Sequence, residues 1–186
     1  MRLQRSSLVM AVLSFPDVIS EIACEFLIEL FDHDLDNHEH INNSSKPTFT
    51  QLNINEHHSK LVPELVILFK NSLELYKENV LSAQYLPEVE FLEEFRLKKY
   101  EIGGIDRFDE HVDVGDHESA KRALAMIFYL NDVEDGGRTI FPYHDLNIQP
   151  KRGRVVVFPP TWEYPHIGEP PISTPKYIMS TYLHYQ

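Results

Sequence analysis

At 186 residues the chain is long enough for one well-buried core and short for two, and 42% hydrophobic with 25% charged residues is the balance of a folded globular protein with no run of about 20 apolar residues that could span a bilayer. Lys plus Arg at 17 against Asp plus Glu at 29 leaves a net charge of −12, which repels polyanions and argues against nucleic acid as the main partner. A single cysteine, Cys24, excludes an intramolecular disulfide and fits a reducing, cytoplasmic setting.

Residues 1–14 place two arginines ahead of the apolar Leu8 to Leu13, but the run is short for a signal peptide and no small-residue cleavage site follows, so an opening strand is expected. Pro16 favours a first helical turn, and Ile19, Ile22, Phe26 and Leu30 recur at helical spacing, which predicts a helix over 16–31 with Cys24 packed inside it. The alternating acids of residues 32–40 imitate a calcium loop. The match fails at its sixth position, where Asn37 stands for glycine, and at its twelfth, where Asn43 stands for glutamate. His33, His38 and His40 are therefore assigned to a solvated loop, and residues 46–58 are read as a second loop. From the capping region at Ser59, residues 61–82 predict a long helix whose stripe of Val62, Val66, Phe69, Leu73, Tyr76 and Val80 is core packing.

After Pro87 the pattern changes to strands. Residues 89–100 alternate loosely, 123–130 are almost continuously apolar, and 155–158 and 177–185 are further strands, separated by turn signals at Gly103-Gly104, Gly136-Gly137 and Gly153. Helices followed by short strands predict an α+β fold, read as one domain over 1–186: helical support over 1–86 packed on a sandwich or open barrel over 87–186.

The chemistry centres on Asp106-Arg-Phe-Asp-Glu-His-Val-Asp-Val114. In an extended segment His111 and Asp113 point to the same face, roughly 6 to 7 Å apart, so an imidazole and a carboxylate can converge on one ion. His166 is the best-placed third ligand. Two histidines and one carboxylate with open positions suit non-haem Fe(II), and catalytic zinc is also compatible with them. Lys176 opens the final strand. If it points inward its ammonium needs an anion, and residues 176–185 contain no acid, so a bound dicarboxylate would fill that need.

As a set, residues 95–185 resemble the Fe(II)/2-oxoglutarate-dependent dioxygenases, in the prolyl 4-hydroxylase-like branch and its compact bacterial or bacteriophage type. The resemblance rests on His111-Val-Asp113, Ala125-Met-Ile-Phe-Tyr-Leu-Asn131, Gly136-Gly-Arg-Thr-Ile-Phe-Pro142, Lys151-Arg-Gly-Arg-Val-Val-Val-Phe158 and His166-Ile-Gly with Lys176 ten residues later. It implies a double-stranded β-helix, a jelly-roll or cupin-like core braced by the N-terminal helices. It also implies Fe(II), 2-oxoglutarate and O2, with ascorbate as a further cofactor. His111, Asp113 and His166 match the catalytic iron ligands, Lys176 the partner of the distal carboxylate of 2-oxoglutarate, and Thr139 and Tyr100 two hydrogen-bonding neighbours of that carboxylate. Arg122 matches an arginine that holds peptide substrate. The chain departs from the family in the eleven-residue gap from Tyr100 to His111 and in Tyr182, where tryptophan is common. Trp162 is read as packing at the barrel mouth.

The implied reaction is hydroxylation of a prolyl residue in a peptide or protein, coupled to decarboxylation of 2-oxoglutarate to succinate. Hydroxylation of a free amino acid or other small molecule is the alternative within the enzymes, and a non-catalytic metal-binding module on the same fold is the alternative outside them. No membrane partner is expected.

Overall fold

The computed structural model of the chain describes residues 11–43 and 47–185. Most of the stretch read as an opening strand, residues 1–10, lies outside them, and β1 (Leu13–Phe15) follows directly. In chain order come α1 (Glu21–His33), β2 (Glu39–Asn42), β3 (Thr48–Asn53), α2 (Ile54–His57), α3 (Val62–Asn79), β4 (Arg96–Tyr100), β5 (Phe108–His111), β6 (Arg122–Tyr129), β7 (Thr139–Phe141), β8 (Leu146–Ile148), β9 (Val155–Phe158), β10 (His166–Gly168) and β11 (Lys176–His184). Seven strands form one antiparallel sheet in the order β1-β9-β6-β11-β4-β3-β2, and four form a second in the order β5-β10-β7-β8. Two antiparallel sheets wound from non-consecutive strands are the double-stranded β-helix, with helices on the outer face of the larger sheet.

Side-chain alternation along a strand builds two cores from the same strands. Leu124, Met126 and Phe128 of β6, Val155 and Val157 of β9, and Met179 and Leu183 of β11 face the helices. Their neighbours Ala125, Tyr129, Val156, Phe158 and Ile178 face the barrel interior. Both faces are buried, which is why these strands read as unbroken apolar runs. The helix layer contributes Cys24, Leu27 and Phe31 from α1 and Leu65, Phe69, Leu73 and Tyr76 from α3. Burying a phenylalanine such as Phe69 stabilises the fold by about 1.5–3 kcal/mol. Among the described residues no helix is long and apolar enough to cross a membrane.

The structure corrects the local reading in several places. The first helix starts at Glu21, five residues after Pro16, because Asp17 adopts a left-handed φ of 55° and Val18 and Ile19 donate their N–H groups to the Gly153 carbonyl at 2.8 and 3.2 Å. Ser20 then caps the helix, its Oγ accepting from Ala23 N at 3.2 Å. With that start the buried stripe is Cys24, Leu27 and Phe31, and Ile22 and Phe26 of the expected stripe are exposed. Residues 32–40 are the end of α1, a short 3-10 turn over Leu35–Asn37 and the first residues of β2. His38 Nε2 donates to the Phe31 carbonyl of α1 at 2.8 Å, and Asp34 pairs with His58 at 2.6 Å. Of the expected loop over 46–58, residues 47–58 are described and are not a loop: they hold β3 and α2, with Phe49, Gln51 and Asn53 buried and the Asn53 side chain capping α2. β3 escaped notice because its buried positions include amides and a threonine, so no apolar alternation marks it. Residues 89–95 are irregular, and only 96–100 of that segment form a strand.

Candidate active site

The smaller sheet assembles the predicted metal ligands. His111 ends β5 and His166 opens β10, and the antiparallel register places the two directly opposite each other. Asp113 lies two residues past His111, where its N–H and that of Val114 donate to the Pro160 carbonyl, each at 3.1 Å. That anchor turns the carboxylate back onto the histidine pair. Asp113 Oδ1 is 3.4 Å from His111 Nε2 and Oδ2 is 3.6 Å from His166 Nε2, and the three ligand atoms all lie within 4.8 Å of one another.

The chemistry of this donor set fits a divalent transition metal. His111 Nδ1 is 2.8 Å from the Asp109 carbonyl and His166 Nδ1 is 3.2 Å from the Tyr164 carbonyl. A carbonyl only accepts, so each Nδ1 carries the proton and each Nε2 presents its lone pair to the centre of the triad. Burial pushes the His166 pKa down and keeps that imidazole neutral, although Asp113 acts in the opposite sense. Burial alone would raise Asp113, but the adjoining His166 and His111 imidazoles bring its carboxyl down to about 2, so it is anionic at neutral pH. Two neutral imidazoles and one carboxylate on one side, with no cysteine, are the facial set of non-haem Fe(II) sites.

The barrel interior extends from this triad to Lys176. Lys176 is 2% exposed and points inward, which meets the condition under which its ammonium needs an anion. Its Nζ donates to the Gly137 carbonyl at 3.1 Å and lies 4.3 Å from the ring centroid of Tyr100, its partner across the β4–β11 ladder. No carboxylate stands within ion-pair distance of it among the described residues, and the nearest acid, Glu169, is held by Arg138 at 2.7 Å. Burial accordingly pulls the Lys176 pKa down to about 7, with Glu169 opposing. Gly136 makes this wall possible: its φ is 71° and a Cβ there would sit 2.5 Å from the Pro170 carbonyl oxygen. Thr139 and Tyr100 are both buried in the same wall, so the structure brings both beside Lys176.

Sequence reasoning missed three residues here. Tyr129 is fully buried and shares a 2.5 Å hydrogen bond with Thr139, and its only signal was its place in an apolar strand. Lys98 lines the same cavity, and the adjacent Lys99 faces the opposite side, where it meets Glu101 at 2.8 Å. Glu93 holds Arg122 through Nε at 2.6 Å and Nη2 at 3.0 Å, and it also meets His184 at 2.9 Å. Arg122 is thereby fixed at the mouth, over the Tyr182 ring at 4.1 Å, and its Nη1 donates to the Asp113 carbonyl at 2.7 Å. It braces the metal-ligand segment as well as facing the open groove beside it. Trp162 is corrected: it is 75% exposed and packs into nothing. His144 bonds the Glu163 carbonyl, away from the triad.

The jelly roll thus carries a His-Asp-His triad and an inward lysine in one cavity, a donor set that suits a divalent metal and an anionic ligand. Residues 95–184, a little under half of the chain, match the model of the 2OG-Fe(II) oxygenase superfamily, and the residues of this cavity are compatible with Fe(II) and 2-oxoglutarate. The chain is 29% identical over 86 residues to the probable prolyl 4-hydroxylase 9 of Arabidopsis thaliana, an alignment covering 36% of this chain and 29% of the relative. It thus spans less than a third of that relative's length. Its fold is similar to the viral collagen prolyl hydroxylase of Paramecium bursaria Chlorella virus-1 in complex with 2OG, with a TM-score of 0.72, 19% identity and coverage of 95% of this chain and 97% of the other. It is also similar to the Trichoplax adhaerens prolyl hydroxylase in complex with a hypoxia-inducible-factor peptide fragment, with a TM-score of 0.70, 11% identity and coverage of 94% and 83%.

Proposed function

We propose that the chain is an Fe(II)- and 2-oxoglutarate-dependent dioxygenase that hydroxylates a prolyl residue in a peptide or protein. The observation that carries this reading is the pairing, in one cavity, of the His111, Asp113 and His166 set with a buried Lys176 that has no carboxylate within ion-pair distance among the described residues. In the reaction one oxygen atom of O2 enters a substrate C–H bond and the other enters succinate, with carbon dioxide leaving from 2-oxoglutarate. Bound Fe(II) supplies the oxygen activation, and ascorbate would return the metal to the ferrous state.

The protein's own residues position and protect. His111, Asp113 and His166 would hold the metal through two Nε2 lone pairs and one carboxylate. Lys176 pairs with the distal carboxylate of 2-oxoglutarate, a charge-assisted bond inside a dry wall, and the Tyr100 and Thr139 hydroxyls add donors to the same group. Phe141 and Phe158 are buried against His166 and keep water from the triad. Arg122 keeps Asp113 in register through its backbone carbonyl and faces substrate at the mouth. The open groove between residues 92–96 and 112–122 shares Asp113 and Arg122 with the site and could take an extended peptide.

The test is incubation with proline-containing peptides, Fe(II), ascorbate and 2-oxoglutarate, followed by mass spectrometry. A gain of one oxygen atom matched by succinate, and lost in Asp113→Ala, is the predicted result. Full turnover in Asp113→Ala would overturn the assignment, since that change removes the one anionic ligand of the triad.

A further inference from the structure

Lys98 sits in the middle of β4 with Arg96 and Tyr100 on the same side of the strand, opposite Ile178 of β11 in register. Alternation sends it inward, to the cavity that also holds His111, Asp113 and Lys176. Its Nζ lies 5.0 Å from the ring centroid of Phe49, and among the described residues it has neither a hydrogen-bond acceptor nor a carboxylate within ion-pair distance. The charged groups that act on it are Asp113, Arg96, Arg122 and Glu93. Glu93 is occupied by Arg122 and His184, and Arg96 is paired with Glu94. Asp113 is thus the one acid of the cavity near Lys98, and it belongs to the metal triad.

The charge balance of the loaded site follows. The metal's two positive charges exceed the single negative charge of Asp113 by one, and Lys176 adds one more. The 2-oxoglutarate dianion cancels both. Lys98 is the cation left over, half-buried and without a counter-ion, an arrangement that is costly unless a ligand supplies the anion. Its neighbour Lys99 shows the ordinary alternative for a lysine on this strand, an outward ammonium paired with Glu101.

We propose that Lys98 is a specificity residue that recognises a carboxylate on the substrate, so that the hydroxylated molecule carries an acidic group near its reacting carbon. This deepens the reading of the site as an Fe(II)/2-oxoglutarate oxygenase and rests on it. The carboxylate has two sources: the α-carboxylate of a free amino acid, or an acidic side chain beside proline in a peptide. A lysine ammonium, a compact point charge, suits either.

The experiment uses the protein loaded anaerobically with Fe(II) and 2-oxoglutarate and follows perturbation of the weak visible charge-transfer band of the chelated complex. L-Proline is titrated against L-prolinamide, and acetyl-Gly-Pro-Glu-amide against its Gln counterpart. The carboxylate-bearing member of one pair is predicted to bind about tenfold or more tightly than its amide match, and the pair that shows this identifies the source. Lys98→Met and Lys98→Gln should erase the preference and Lys98→Arg retain part of it, while affinity for 2-oxoglutarate stays within about twofold of the parent and circular dichroism confirms folding. Three results overturn the proposal: no preference for either carboxylate-bearing member, a preference that survives in Lys98→Met, or a loss of 2-oxoglutarate affinity in Lys98→Met like that in Lys176→Met. Absence of the band in the unaltered protein is a separate result that removes the oxygenase reading itself and the proposal with it.

Discussion

Replacing Lys176 by Met should make the ligand-free protein more stable and the loaded site weaker. The ammonium is 2% exposed, with two backbone carbonyls and an aromatic face for company. Burial brings its pKa from 10.5 to about 7, and at 1.36 kcal/mol per unit that displacement corresponds to roughly 4–5 kcal/mol. Relaxation, and the Gly137 carbonyl that loses its donor, reduce the expected gain to about 2–3 kcal/mol. For a chain of this length the midpoint of thermal unfolding should rise by roughly 4–10 °C. The sign with pH is fixed by linkage. Because the folded pKa lies below the unfolded one, the unfolded chain binds more protons between about pH 7 and 10.5, and the stability of the parent rises with pH across that window. The advantage of Lys176→Met should therefore be largest below pH 7 and shrink towards pH 10. At the same time affinity for 2-oxoglutarate should fall by about ten- to a hundredfold, the loss of a charge-assisted bond of about 1.5–3 kcal/mol. Thermal denaturation of both proteins at pH 6.5 and 9.5, with calorimetric titration of 2-oxoglutarate, tests both halves. A variant less stable than the parent at pH 6.5, or one with unchanged 2-oxoglutarate affinity, would refute the reasoning.

Further outcomes follow from the same geometry. In the parent, 2-oxoglutarate binding above pH 7 should take up a proton on Lys176 and weaken by up to about tenfold per pH unit, measurable by calorimetry in buffers of different ionisation enthalpy. A flat profile from pH 7 to 9 would contradict it. Arg122→Met should lower metal affinity by about tenfold or more, because the donor to the Asp113 carbonyl is lost and Glu93 is left half-buried without its main partner. Equilibrium metal titration checks this. Phe69→Ala, in the layer between α3 and the larger sheet, should cost about 3–5 kcal/mol in chemical denaturation and leave the triad's metal affinity unchanged once the protein is folded.

The parts of the molecule legible in the sequence are those whose physics is local. β6, β9 and β11 announced themselves as apolar runs because both of their faces are buried. His111 and Asp113 were legible because two-residue spacing in an extended segment puts both on one side, and Lys176 because a lysine opening an acid-free strand demands an anion. What stayed hidden depends on residues far away in the chain. The start of α1 is set by the Gly153 carbonyl, more than 130 residues downstream, which holds Val18 and Ile19 out of the helix. β3 pairs with β4 across more than 40 residues and buries Gln51 and Asn53, so its pattern is polar. The tight two-residue joining of Lys98 and Lys99 reads as surface charge until the register of β4 sends one lysine inward and the other out. Arg122 was singled out in the sequence through the family resemblance. Its bond to the Asp113 carbonyl was not legible, because that contact is made by a loop whose course the sequence does not display.

The most direct measurement is an anaerobic titration of metal-free protein with Fe(II) and then 2-oxoglutarate, following the visible charge-transfer band, with His111→Ala as control. Binding is read before turnover because it needs no knowledge of the substrate. A band that requires both additions and is absent in His111→Ala is the result predicted by a His111, Asp113 and His166 centre facing Lys176 across one cavity. A folded parent protein that shows no band, or a control that shows the same band as the parent, would contradict it.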